Sequence, residues 1–524
     1  MNNQPVYTRE VKSMNRKSFI TILITGTIAL TGVVPVAPVF AGTADKTPKY
    51  TYQLKNDPQY DSLYTKDQKQ QLIGVTYDQL GTVTRTDPDT GVKEASAAAI
   101  DKAISTVNNE VAKDDKPFVK DNTKQARKDY KANKKTFAPY VCTDDLTPVR
   151  SDNHTMTVRR DRYIDQNGAH GLETVTAYSF DGTTGKRLLL SDVMKYKSKD
   201  RLSGILAKEV LKKYGKIVLG TNEKGLKKKI KALVNSKYYT GSNDTKALTW
   251  YVDRGSITFY FNTDDIAPYA AGTFSIKLIA KKYPEIDTYY IKSPKNYIRK
   301  VNAYSDRVDG KKLTISGHPD EYDTYNSLKV KYGKKSVTFT PYVFSFEPVL
   351  VVTSTGKYLY INTHEDNDYQ TIYVIDLGAK KLSAKAVDLG FYGTIPTDPD
   401  NMLLMTRGDI LSTVTLSRTY STGKSGIPAA NNRYFLVNSS PTLTLKKNVS
   451  LDVLDSYTSE TTHAKELAKG TKLTIFRTDN KNTADCLTDD GNLIRLTVDQ
   501  NEYPQKINGK YTEDELLEGA MFAG

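Results

Sequence analysis

Cysteine, tryptophan and histidine are scarce: 524 residues contain two, one and five of them. Cys142 and Cys486 are too few for a disulfide framework, so they either form one bridge or stay free and buried. His154, His170, His318, His364 and His463 fall singly. No His-x-x-x-His or His-Glu-x-x-His pair exists, which removes the usual spacing of a zinc site, and no metal or other cofactor is expected. Past Val34 no apolar run approaches the roughly 20 residues that span a bilayer. Zinc-finger, helix-turn-helix and RNA-binding signatures are missing too, so nucleic acid is not an expected partner.

What is present starts at the N-terminus. Arg9, Lys12, Arg16 and Lys17 precede an apolar run from Phe19 to Val34, followed by Pro35, Pro38 and the small residue Ala41. That order of charged, apolar and small-residue regions reads as a signal peptide over residues 1–41, cleaved after Ala41. The expected location is outside the cell or on its surface; the alternative is anchoring by an uncleaved segment. Losing Arg9, Glu10, Lys12, Arg16 and Lys17 lowers the formal charge from +15 to +12. A basic exported protein is drawn at long range to teichoic acids, phospholipid heads and acidic polysaccharides.

Residues 42–75 read as a polar, Tyr-rich leader. Residues 76–288 read as an α+β recognition domain with helices on an antiparallel sheet. Ala97, Ile100, Ile104, Val107 and Val111 recur at helical spacing, as do Leu202, Ile205, Leu206, Val210 and Leu211. Short alternating runs such as Thr174–Tyr178 and Ile257–Phe261 read as strands. Helical periodicity nearly vanishes beyond about residue 290, so a β-rich domain is expected over 289–440. A small β-barrel-like domain over 441–524 closes the chain with a terminal helix, capped by Thr512 with Glu515 three residues on. The clusters Asp87-Pro88-Asp89, Glu365–Asp368 and Asp398–Asn401 lack the ligand spacing of a calcium loop and read as turns. Tyrosine pairs at Tyr238-Tyr239, Tyr289-Tyr290 and Tyr322/Tyr325 suit either glycan stacking or a half-buried pleat.

Three stretches stand out together: Tyr163–Gly171 (YIDQNGAHG), Ser179–Met194 (SFDGTTGKRLLLSDVM) and Ile257–Gly272 (ITFYFNTDDIAPYAAG). In order and spacing they resemble an extracytoplasmic domain of unknown function found in lysozyme-sensing anti-sigma factors and ahead of the catalytic domain of some peptidoglycan deacetylases. The resemblance spans about residues 50–285, and the segment Ile266–Gly272 is its most specific part. The C-terminal stretch resembles a bacterial Src-homology-3-like barrel. The resemblance implies a cell-wall component or lysozyme as ligand, and Tyr163, His170, Asp264, Asp265 and Tyr269 as binding residues. His170 lacks a sequence-adjacent nucleophile or second base and reads as a structural residue in a Gly-rich turn, with Asn167 supplying left-handed backbone. The function expected is a non-enzymatic envelope-binding protein. The alternative is a wall-modifying hydrolase using a carboxylate pair, which needs no fixed spacing in sequence.

Overall fold

The computed structural model describes residues 52–94, 97–196, 198–234, 248–322, 324–366, 369–501 and 503–523. Residues 1–41, read as a signal peptide, and the Tyr238-Tyr239 pair lie outside them. No helix among the described residues is long and apolar enough to cross a membrane.

The stretch read as a leader supplies, from Leu54, the first hairpin: β1 (Leu54–Tyr64) and β2 (Gln71–Thr82). Ile73, Val75 and Tyr77 of β2 are buried while Gly74, Thr76 and Asp78 alternate with them, and this interleaving made the segment look polar. Helices α1 (Ala98–Asp115) and α2 (Phe118–Ala132) follow, then β3 (Tyr140–Ser151), β4 (Thr155–Asp165) and β5 (Leu172–Asp181). The five strands form one sheet in chain order. It is mixed rather than wholly antiparallel: β2 and β3 run parallel, because the two-helix connection carries the chain back to the starting edge. The apolar stripe of α1 is buried as its spacing requires, with Ile100, Ile104, Val107 and Val111 packed in one core with Val75, Val158 and Phe180.

Under that helical layer sits a charged network. Arg160 and Arg162 project from the same face of β4, two residues apart. Arg160 Nε donates to both oxygens of Asp144 at 3.0 and 2.7 Å, and its Nη1 to Asp114 Oδ2 at 2.7 Å. Arg162 Nε donates to Asp115 Oδ1 at 2.8 Å. Asp114 and Asp115 end α1, so the network ties that helix to the sheet.

A second layer follows: α3 (Leu190–Val193), α4 (Lys199–Leu219) and α5 (Glu223–Val234), packed on an antiparallel sheet of β6 (Thr249–Asp253), β7 (Ser256–Phe261) and β8 (Phe274–Ile279). Leu202, Leu206 and Val210 of α4 and Ile230 of α5 meet Val252, Phe259 and Phe261 there. After α6 (Thr288–Ile291) the chain is almost all β. β9 (Tyr297–Lys300), β10 (Asp306–Val308), β11 (Lys311–Pro319), β12 (Tyr325–Tyr332), β13 (Lys335–Phe339), β14 (Ser345–Val352), β15 (Lys357–His364), β16 (Gln370–Asp376) and β17 (Ala384–Val387) form two sheets, ordered β10-β11-β12-β13 and β17-β16-β15-β14-β9. Leu313, Ile315, Leu328 and Val330 of the first share a core with Leu350, Leu359, Ile361 and Ile375 of the second.

The last sheet runs from Gly390 to Glu518. Strands 402–409 and 413–422 join it through Phe435–Ser439, which pairs with Lys472–Thr478. One hydrogen-bonded sheet thus includes strands on both sides of residue 440. The terminal helix α7 (Glu513–Leu516) carries its capping box, with Thr512 N donating to Glu515 Oε2 at 3.0 Å. Cys142 and Cys486 are free and buried in separate cores, so no bridge joins them.

The Asp87-Pro88-Asp89 turn clasps this last sheet. Asp89 accepts from the Arg433 and Tyr434 N–H groups at 2.8 and 3.0 Å. Arg477, buried and paired with Asp485 at 2.7 Å, donates Nη1 to the Pro88 carbonyl at 2.7 Å. The N-terminal sheet is thereby held to the C-terminal one as well as to the strands between them.

Candidate functional site

The hairpin joining β4 to β5 brings three of the five expected residues together. Asn167 takes the left-handed conformation expected of it, φ +59°. His170 is exposed, and its ring stacks on Tyr269 with centroids 3.8 Å apart and 24° between planes. Tyr269 Oη donates to the Gly171 carbonyl at 2.5 Å. A Cβ on Gly171 would come within 2.4 Å of the Tyr163 ring, so only glycine lets that ring lie over the turn. Among the described residues, the hydrogen-bond partner of His170 is the Gly171 carbonyl, 3.3 Å from its Nδ1. The cluster fixes a turn and is not arranged for proton transfer.

Asp264 and Asp265 occupy the adjoining turn and differ in role. Asp264 is exposed with φ +68°. Asp265 points inward and accepts from Asn262 N at 2.7 Å. Burial pushes its carboxyl up to about 7, the Asn262 N–H offsetting only part of that cost. Asn262 in turn accepts from Val175 N at 2.7 Å and donates to Val175 O at 3.1 Å, imitating a strand and joining β7 to β5. The turn just before the most specific segment therefore staples two sheets, and Ile266 and Ala267, which open that segment, are buried. Of the expected acidic pair, Asp264 is exposed and Asp265 is half-buried.

One consequence is measurable. Asp265 holds its proton in the folded state at pH values where the unfolded chain, with a carboxyl near 4, has lost it. Stability therefore falls as pH rises from about 4 to about 7 and is level above. Asp265→Asn keeps the acceptor and removes the charge. It should raise unfolding stability by about 1–3 kcal/mol at pH 8, allowing for partial solvation, and by nothing at pH 4. Urea unfolding at the two pH values checks this.

A second concave feature lies elsewhere in the fold. A cleft of about 950 Å³ opens where the end of β3 and the β6–β8 sheet meet β9, β10 and the start of β14. Its walls carry Arg159, Arg254, Lys277, Arg299, Lys300 and Arg307 against two carboxylates, Asp253 and Asp306. Arg254 sits at the tip of the β6–β7 hairpin, where Gly255 takes φ +69°. Its Nη1 and Nη2 donate to the Val149 and Ile298 carbonyls at 3.1 and 3.2 Å, and the guanidinium lies 5.0 Å from the Tyr297 ring centre. Among the described residues no carboxylate comes within ion-pair distance of it, and its Nε is shielded without a partner. Burial lowers the Arg254 pKa, and Asp253 offsets this only partly. A smaller cavity of about 450 Å³ shares Pro148, Val149, Arg254, Arg299 and Lys300 as wall.

The remaining cations are engaged, and Arg159 pairs with Asp161 at 2.7 Å. Lys277 pairs with Asp253 at 2.6 Å and Lys300 with Glu347 at 3.1 Å, each lysine side chain at least half exposed. Arg299 grips Asp306 at 2.8 and 2.9 Å. The Arg307 side chain donates to the Gly310 carbonyl at 2.9 Å. Burial raises the Asp253 carboxyl, but Lys277 and Arg254 outweigh it and hold it below the ordinary range; Arg299 does the same for Asp306. Both lining carboxylates are thus ionised, and neither is tuned as a general acid. Aromatic rings complete the walls: Tyr304 is 88% exposed and Phe344 42%, with Tyr251, Tyr297 and Tyr325 deeper in.

Nothing in the sequence announces this cleft, because its cations come from separate strands and turns spread over about 150 positions. The tyrosine clusters divide. Tyr289 stacks on His154 at 4.2 Å and Tyr290 bonds Asp181, whereas Tyr322 is exposed and Tyr325 faces the cleft. Among the described residues no group of three His, Cys, Asp or Glu side chains converges to hold a metal.

Residues 190–279, from α3 through β8, match the sequence model of a family described as a protein of unknown function, DUF3298. This segment contributes Tyr251, Asp253, Arg254 and Lys277 to the cleft. Similar solved structures include a DUF3298 family member from Bacteroides fragilis, at 17% identity and a TM-score of 0.31, covering 45% of this chain and 93% of that one. Another is a DUF3298 family protein from Pseudomonas aeruginosa, at 12% identity and 0.27, covering 46% and 98%. No curated protein matches the chain.

Proposed function

We propose that this chain is a secreted, non-enzymatic cell-envelope protein that binds an anionic wall polymer in the cleft between its second helical layer and its central β-sheets. The observation that carries the reading is the wall composition: six cations against two lining carboxylates, with Asp161 and Glu347 pairing Arg159 and Lys300 beside it, in a concave surface whose floor holds an arginine that has, among the described residues, no ion-pair partner. Positive potential in a cleft with low-dielectric walls is focused outward and gathers polyanions. The signal-peptide pattern and the formal charge of +12 after processing agree with such a partner outside the cell. So does the likeness of the three motifs to extracytoplasmic domains of lysozyme-sensing anti-sigma factors and peptidoglycan deacetylases. Lysozyme, itself basic, is the less favoured partner, since Asp265 is turned inward and Asp264 alone offers it a negative charge. A hydrolase reading is weakened by the ionised, cation-paired state of Asp253 and Asp306.

The experiment is sedimentation of the purified protein with bacterial walls, intact or stripped of anionic polymer. Binding should be strong to intact walls at 0.1 M salt or below, where the Debye length is about 10 Å or more, and be lost towards 1 M, where it is about 3 Å. Equal binding to stripped walls, or binding indifferent to salt, would contradict the reading.

A further inference from the structure

We infer that the cleft's ligand is an acidic glycan, a chain of sugar rings bearing carboxylate or phosphate groups, rather than a flexible polyol phosphate. The inference rests on the wall-polymer reading and narrows it. Cations alone would serve any polyanion, and the cleft has a second property that a polyol phosphate does not use. Tyr304 and Phe344, both exposed, line the same cleft as Arg307 and Lys300. A single exposed aromatic is ordinary on a protein surface. Two facing one basic cleft form a mixed wall, flat and apolar beside positive charge. A pyranose ring has a flat C–H face that packs on an aromatic ring, while its acid group needs a cation within a few ångströms. An extended polyol phosphate has the charge and lacks the flat face.

The geometry suits a short stretch of polymer. The volume of about 950 Å³ lies at the upper end of the range, about 300–1,000 Å³, that encloses a small-molecule ligand, which is more than one sugar fills. Arg254 is not the contacting group, because its Nη atoms are spent on the Val149 and Ile298 carbonyls. It supplies fixed positive charge to the floor. Arg307 and Lys300, exposed and able to turn, meet the acid groups.

Calorimetric titration of the purified protein with three probes tests this: a hexamer of galacturonate, chitohexaose, and a glycerol phosphate oligomer of matched charge. The galacturonate hexamer should bind at least tenfold more tightly than either of the others. The double variant Tyr304→Ala with Phe344→Ala should lose at least tenfold for the hexamer and leave glycerol phosphate binding unchanged. Both side chains are exposed, and an unshifted melting temperature shows that the fold is kept. If the glycerol phosphate oligomer binds as well as the hexamer and the aromatic variant changes nothing, the glycan inference falls while the wall-polymer reading stands. If chitohexaose equals the galacturonate hexamer, the role assigned to the acid group is overturned. If no probe binds and the protein ignores intact walls as well, both readings fail together.

Discussion

Arg160→Met should destabilise the N-terminal domain by about 3–5 kcal/mol at pH 8, the cost of leaving a buried carboxylate without its partner. Asp144 and Asp115 are essentially inaccessible to solvent, and Arg162 alone would remain to face both. Methionine fills similar space, so the loss reports charge rather than a cavity. Burial already pushes the Asp144 carboxyl up in the native protein, Arg160 offsetting only part of that cost. Without the guanidinium, Asp144 protonates more readily still, and the penalty should shrink as pH falls and the carboxylate takes up a proton. The double variant Arg160→Met with Asp144→Asn should recover part of the loss at pH 8. Urea unfolding followed by far-ultraviolet circular dichroism at pH 5 and pH 8 separates these outcomes. A change under about 1 kcal/mol at pH 8 would mean that the network does not hold α1 to the sheet.

What the sequence made legible was local. The stripe Ile100, Ile104, Val107 and Val111 announced α1 because the helical period is written into neighbouring residues, and its burial follows. Thr512 and Glu515 announced α7 in the same way. Asn167 announced a left-handed turn, which is a property of its own side chain. Three features stayed hidden, all long-range. The parallel pairing of β2 with β3 depends on where a two-helix connection returns the chain, which periodicity does not encode. Asp87 and Asp89 read as turn residues, and they are; that their turn also clasps Arg433, Tyr434 and Arg477 follows only from contacts across more than 340 positions. Tyr163 and His170 meet Tyr269, far from them in sequence, where Tyr269 ties the β4–β5 hairpin to the turn after β7. The cleft escaped for a related reason. Arg254, Arg299 and Arg307 look like ordinary hairpin and strand-end cations until the fold sets them around one cavity.

The direct test of the cleft as the binding site compares two charge reversals of equal size. Lys300→Glu with Arg307→Glu alters the cleft; Lys124→Glu with Lys128→Glu alters the exposed face of α2. Each changes the net charge by four units in the same direction, so long-range attraction is weakened alike. Only the first removes the groups that meet the ligand. At 0.1 M salt, sedimentation with intact walls should fall at least thirtyfold in apparent affinity for the cleft variant, equivalent to about 2 kcal/mol for two charge-assisted contacts. The α2 variant should lose no more than about threefold, the share expected of screened net charge. Equal losses in the two variants would contradict the account, since wall binding would then follow overall charge and owe nothing to the cleft.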